Sequence, residues 1–273
     1  MARQRNLPMS DLPFDQEVTL RLELSRSDSR MAVGLCVLSA STGALRHLRR
    51  QFLHPGELLL AAAMPVQKRA DDFLRGRYAC KRAIAALHPD VDPTGVHIGM
   101  GVFRQPVLQA PNTLGLQVSV SHSGAIGAAL AFAEGHPMAL DVEQYDAERA
   151  RVIESALTAH EVSLAAQMRL PRLQAYTQLW TMKEALSKVL KCGLTSPFHV
   201  LEVAAVEHAG AGLAACFRHF TQYRAIAFSL AENACAIVLP RESRGLAVET
   251  LQAAFAASAA KREANAVLRT LPE

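Results

Sequence analysis

Two long helical stretches, 67–87 and about 172–192, each stand between groups of short apolar runs, and this alternation limits the fold more than any bulk property does. In the first, Phe73, Leu74, Tyr78, Ile84 and Leu87 recur at mostly helical spacing with basic residues between them, the pattern of an amphipathic helix carrying cations. In the second, Leu179, Met182, Leu186, Val189 and Leu190 form one apolar stripe, and Gly193 stands where a helix-capping glycine belongs. The segments around them are strand-prone. Residues 18–24 and 31–38 predict an early hairpin, and 96–102, 106–109, 116–121, 126–133 and 139–143 read as strands by length and turn punctuation. A short helix opens at Glu57, another helical stretch covers 147–168, and 198–206, 213–217, 223–230 and 234–239 return to strand. The Ala-rich tail at 248–268 is helical by propensity, and the polar residues 1–14 are expected to be frayed. An α+β fold follows. Two rounds of helices followed by strands suggest a duplicated unit, although no residue-level repeat is visible, and the expected division is 1–14, 15–139, 140–240 and a tail at 241–273.

Composition narrows the class. Half of the 273 residues are hydrophobic and a fifth are charged, which predicts a substantial core and not a disordered chain. The formal charge of +4 is unevenly placed: Arg46, Arg49 and Arg50, then Lys68, Arg69, Arg75, Arg77, Lys81 and Arg82 crowd the first third. That crowding suits a phosphorylated partner. Only Phe73 and Tyr78 interleave with the denser cluster, so stacking on single-stranded nucleic acid has little support. Five scattered cysteines with no C-x-x-C pair fit a reducing compartment. The start of the chain has no secretory apolar run, and no apolar stretch approaches the roughly 20 residues that span a bilayer. A cytoplasmic protein without a membrane segment is expected.

Three constellations carry chemistry. Asp141 and Glu143 lie in Ala-Leu-Asp-Val-Glu, where strand alternation sends both carboxylates to one face and makes half of a magnesium site. By itself such a pair is more often a solvated strand edge. Glu184 and Lys188 stand four apart in Trp-Thr-Met-Lys-Glu-Ala-Leu-Ser-Lys, a spacing that an ordinary surface ion pair also has. Val-Ser-Val-Ser-His-Ser-Gly, 118–124, ends in small polar residues whose N–H groups and hydroxyls suit an anion, with His122 as a further donor.

Taken in order, Ser-His-Ser, then Leu-Asp-Val-Glu, then Trp-x-x-Lys-Glu-x-x-x-Lys resembles the motif set of surfactin-type (Sfp-like) 4′-phosphopantetheinyl transferases, in detail from about 65 to 206. The resemblance implies two similar α/β subdomains packed as a pseudo-dimer within a monomer. It implies Mg2+ held by Asp141, Glu143 and Glu184, with coenzyme A as the donor substrate and an acyl or peptidyl carrier protein as the acceptor. Fatty acid, polyketide and nonribosomal peptide synthesis are the pathways such enzymes serve. Glu184 resembles the general base, Lys188 the group that neutralises the leaving 3′,5′-ADP, and Lys183 a second phosphate contact, while Glu161 assists in some members. Phe73 to Ala83 resembles the family's first-helix motif, which assigns Arg77, with Arg69 and Lys81, to coenzyme A. Ser121 and His122 would close over its phosphates. Where many relatives have Gly-Lys-Pro, this chain has Arg104-Gln105-Pro106, so a cationic contact is lost or taken over by Arg104. Lys191, Arg169 and Arg172 are the expected carrier-docking residues.

Two rival classes use some of the same residues. A metal-dependent nuclease would employ the carboxylates and the basic first third, but gives the Trp-x-x-Lys-Glu string and the Ser-His-Ser turn no place. A non-catalytic carrier-binding scaffold would have no reason to keep the carboxylates clustered.

Overall fold

The computed structural model describes residues 16–256 apart from 28, 111–113 and 247; the segment expected to be frayed and the last part of the tail lie outside the described residues. β1 (Gln16–Arg26) and β2 (Ser29–Ser39) form the early hairpin, and β5 (Leu116–Ser123) and β6 (Ile126–Ala133) complete a four-stranded antiparallel sheet in the order β1-β2-β6-β5. A second, five-stranded sheet runs β7-β11-β10-β9-β8, built from β7 (Ala139–Gln144), β8 (Val203–Ala209), β9 (Gly212–Phe217), β10 (Tyr223–Leu230) and β11 (Asn233–Pro240). The α+β class is therefore the observed one.

Alternation within the strands places the core. Leu35, Ala128 and Leu130 of the first sheet meet Leu140, Val142, Phe228 and Ile237 of the second, so the two sheets pack face to face. Val248, Leu251 and Phe255, from a helical stretch at 248–256, are buried in the same layer. The outer face of the first sheet carries α1 (Thr42–Phe52) and α3 (Gln67–Leu87). That of the second carries α4 (Ala150–Ser155), α5 (Ala159–Gln167) and α6 (Arg172–Val189). Contact between α3 and β2 is close enough that a Cβ on Gly34 would lie 1.9 Å from the Ala83 carbonyl oxygen, so only glycine fits there.

Several expected elements differ. α1 is an element beyond those expected, with Leu45, Leu48 and Phe52 burying one face of it. The stretch 147–168 is broken into a 3-10 turn, α4 and α5, because Thr158 caps a new helix. The left-handed residue that ends α6 is Lys191 and not Gly193: Cys192 N–H donates to the Ser187 carbonyl (3.1 Å) and Lys191 N–H to that of Lys188 (3.2 Å). The run at 198–206 begins as a 3-10 turn, Phe198–Leu201, before β8.

A duplicated unit becomes visible in the hydrogen bonds. α2 (Pro55–Ala62) opens with a capping box, and its Glu57 accepts from Ile98 N–H at the start of the β3 (His97–Met100) and β4 (Pro106–Ala110) ribbon (3.1 Å) while pairing with Lys81 of α3 (2.9 Å). α5 opens with a capping box whose Glu161 accepts from Val203 N–H of β8 (2.9 Å) and pairs with Lys183 of α6 (2.7 Å). Both pairs are fully buried. One carboxylate thus ties a helix start, a long helix and a strand together, once in each half. Removing Lys183 leaves Glu161 a bare buried charge, whereas Glu57 without Lys81 keeps the Arg77 guanidinium at 3.2 Å. Lys183→Met is expected to lower unfolding free energy by about 3–5 kcal/mol in denaturant titrations, and Lys81→Met by less.

Candidate active site between the two halves

β7 turns Leu140 and Val142 into the inter-sheet core, which aims Asp141 and Glu143 at α6. The Asp141 carboxylate is buried. Its Oδ1 accepts from Ser121 Oγ and from Lys188 Nζ, both at 2.7 Å, while Oδ2 is buried and has no partner among the described residues. Glu143 accepts from the Arg149 guanidinium and, at 3.3 Å, from the indole N–H of Trp180. Glu184, one turn before Lys188, is largely buried; burial first and then the Asp141 carboxylate push its pKa up to about 7, with Glu143 adding to the push and Lys188 opposing it. Asp141 and Glu184 therefore face the same space.

Lys188 does not form an ordinary helix-surface pair with Glu184. Its ammonium donates to Asp141 and to the carbonyls of Val120 (3.1 Å) and Leu140 (3.3 Å), so all three donors are committed across the junction of the halves. The strand β5 supplies the other side of that junction. Ser119, Ser121 and Ser123 alternate along one face and donate to, or accept from, β7: Leu140 N–H to Ser119 Oγ (3.1 Å), Ser121 Oγ to Asp141, and Gln144 N–H to Ser123 Oγ (2.8 Å). Period-two serines on a strand were the signal for this seam, and the sequence reading took them for a phosphate loop.

Two cavities open beside these groups. The larger, about 500 Å³, is walled by Phe103, Arg104, Val107, Val118, Glu184 and Lys191, among others. A smaller one, about 260 Å³, is lined by Arg69, Phe73, Arg77, Arg104 and His122, and shares Arg104, Pro106 and Val120 with the first. Arg69 is exposed at its edge, and the Arg77 guanidinium lies 4.6 Å from the Phe73 ring centroid and 3.2 Å from Glu57. His122 stands about half exposed with Nδ1 3.9 Å from Asp72.

Four expected contacts are not arranged as the sequence reading had them. Lys81 and Lys183 are fully buried on Glu57 and Glu161 and line neither cavity, because an unpaired ammonium in the core costs more than the pair. Ser121 serves Asp141 and not an open phosphate site. Glu161, fully buried on the far side of α6, is a capping and pairing residue. Gln105 folds back so that its Oε1 accepts from Phe103 N–H (3.0 Å), which leaves Arg104 as the cation between the cavities.

The donor set can be tested for a divalent cation. Among the described residues no three His, Cys, Asp or Glu side chains stand at metal-binding spacing, and Glu143 is held by Arg149. Asp141 and Glu184 nevertheless fit a hard cation. A buried carboxylate oxygen has no partner among the described residues, and the neighbouring carboxylate is driven toward its neutral form by burial and then by like charge.

That crowding has a consequence for stability without metal. The folded state holds the Glu184 proton up to about pH 7, whereas the unfolded chain releases it in the ordinary carboxylate range. Stability on this account is greatest below that range and declines as pH rises toward about 7. Glu184→Gln is therefore expected to melt higher than the wild type at pH 8 in the presence of a chelator. Excess Mg2+ or a pH near 4 should shrink the difference, and equal melting temperatures at pH 8 would contradict the crowding.

With this geometry established, known proteins can be compared. Residues 137–238 match the model of the 4′-phosphopantetheinyl transferase superfamily. Among solved structures the chain is similar to the holo-[acyl-carrier-protein] synthase (AcpS) of Thermotoga maritima, at 26% identity over 44% of this chain and 72% of that one; the TM-score is 0.31, too low for the superposition to carry weight. No curated protein matches the chain. Among the described residues no helix is long and apolar enough to cross a membrane. The matched segment, which spans less than half of the chain, holds Asp141, Glu143, Glu184 and Lys188 and is what the chain shares with the 4′-phosphopantetheinyl transferase superfamily.

Proposed function

We propose that this chain is a surfactin-type member of that superfamily, and that it transfers 4′-phosphopantetheine from coenzyme A to a serine of an apo acyl or peptidyl carrier protein, releasing 3′,5′-ADP. The observation that carries the reading is the unpartnered, buried Oδ2 of Asp141 beside a Glu184 whose pKa is pushed up to about 7, at the wall of a cavity.

In the reaction the serine oxygen bonds to the phosphorus that carries the pantetheine arm, and the bond from that phosphorus to the bridging oxygen of the nucleotide breaks. Glu184 takes the serine proton. A carboxylate poised near neutrality is a suitable general base at cellular pH. Asp141 and Glu184, and Glu143 once released by Arg149, would hold a divalent cation, which would offset the charge of the diphosphate. The chain's own cations do the positioning: Arg69, Arg77, Arg104 and His122 line the smaller cavity, which suits the nucleotide phosphates. The apolar walls of the larger one suit the uncharged pantetheine arm. Lys188 holds Asp141 in place and keeps a positive charge beside the leaving group.

Incubation with coenzyme A, Mg2+ and an apo carrier protein should add the mass of one phosphopantetheine to the carrier serine. Glu184→Gln is expected to lower turnover by about 10²–10⁴-fold while keeping a cooperative melt. Asp141→Asn should also lose the Mg2+ heat seen by titration calorimetry. Near-normal turnover in Glu184→Gln would remove that residue from its role.

A further inference from the structure

We propose that the tip of the β3–β4 ribbon, Met100, Val102 and Phe103, together with Arg104 and Lys191 at the cavity rim, is a docking surface for an acidic carrier protein. The inference rests on the function proposed above and names where the acceptor binds. The tip projects apolar side chains into water: Val102 is 91% exposed, Phe103 60% and Met100 58%. Such clustering is unusual on a surface with nothing to cover it. It is also held in one shape. Gly101 N–H donates to the Gln105 carbonyl (2.8 Å), Arg104 N–H to that of Gly101 (2.9 Å), and the Gln105 side chain closes the turn on Phe103 N–H. A preformed apolar tip loses little freedom when it binds.

The flanking charges select the partner. Arg104 (φ 64°) and Lys191 (φ 56°) both hold the left-handed backbone that side chains normally avoid, and the side chain of neither has a hydrogen-bond or ion-pair partner among the described residues. Both line the larger cavity, as Phe103 and Glu184 do. A partner seated on the tip would therefore meet two unpaired cations and stand at the entrance to Glu184. Complementarity requires that partner to present carboxylates around an apolar strip. The cations face into a concavity, which the flat surface of an anionic bilayer cannot follow. Of the other docking candidates, Arg172 is tied to Glu154 and lies over Tyr176, and neither Arg172 nor Arg169 lines either of the two cavities.

Val102 lies outside the cavities and tests the surface without touching the chemistry. For Val102→Asp we expect the KM for an apo acyl carrier protein to rise about tenfold or more, with the KM for coenzyme A and kcat at saturating carrier unchanged. Val102→Lys should leave the carrier KM equal to or below that of the wild type. Replacing acidic residues around the carrier serine by lysine should reverse the order of the two variants, an exchange that a distorted hairpin would not produce. An unchanged carrier KM in Val102→Asp, or a coenzyme A KM that rises in step, would overturn the surface. Cosedimentation of the wild type with phosphatidylglycerol vesicles, lost in Val102→Asp, would reassign the tip to a membrane and overturn it equally. A wild type that modifies no carrier while binding coenzyme A would instead refute the proposed function, and the docking site with it.

Discussion

An ionised carboxylate taken out of water needs partners, and Asp141 draws them from both halves of the chain. Ser121 comes from the first sheet and Lys188 from the long helix of the second half, and both reach the same oxygen. The Lys188 ammonium spends its other two donors on carbonyls of β5 and β7, so one ion pair fixes the helix, the strand that carries the acid and the strand across the seam. The second carboxylate oxygen has no partner among the described residues. On the proposed function, that oxygen is where a cation would bind.

The Glu57 and Glu161 networks show the contrasting case. Each of these buried acids has its oxygens filled by a capped helix start, a strand N–H and a lysine. Nothing is left over, and both act as rivets within their own half. Lys81 and Lys183 occupy equivalent places in the two networks, and the residues that follow them diverge. Arg82 of the first half turns to Glu17 on β1, whereas Glu184 of the second faces the cavity. The duplicated architecture thus holds a finished ion pair in one copy and an unfinished acidic cluster in the other.

Much of the fold was legible because long elements carry their period on the chain. The 67–87 helix, β6 and β10 stand where apolar spacing and turn residues put them. Boundaries set by caps were harder. Thr158 starts a new helix in what reads as one, and the first left-handed residue after α6 is Lys191, with Gly193, also left-handed, two residues on. The site was legible in part: the Asp-x-Glu alternation and the Glu184 to Lys188 spacing do bring the acids to one helix. Lys81, Lys183 and Ser121 were misjudged because a lysine or serine looks the same in sequence whether it serves a ligand or a buried acid.

The sequence by itself determined the elements, the face on which each carboxylate emerges and the chemical types available, since these follow from local geometry and periodicity. Only the tertiary structure decided which cations remain free. Charge pairing is a matter of distance across the fold: Lys183 finds Glu161 and Lys188 finds Asp141 over separations that no local pattern records, and the Arg104 guanidinium is left at a cavity wall without a partner among the described residues.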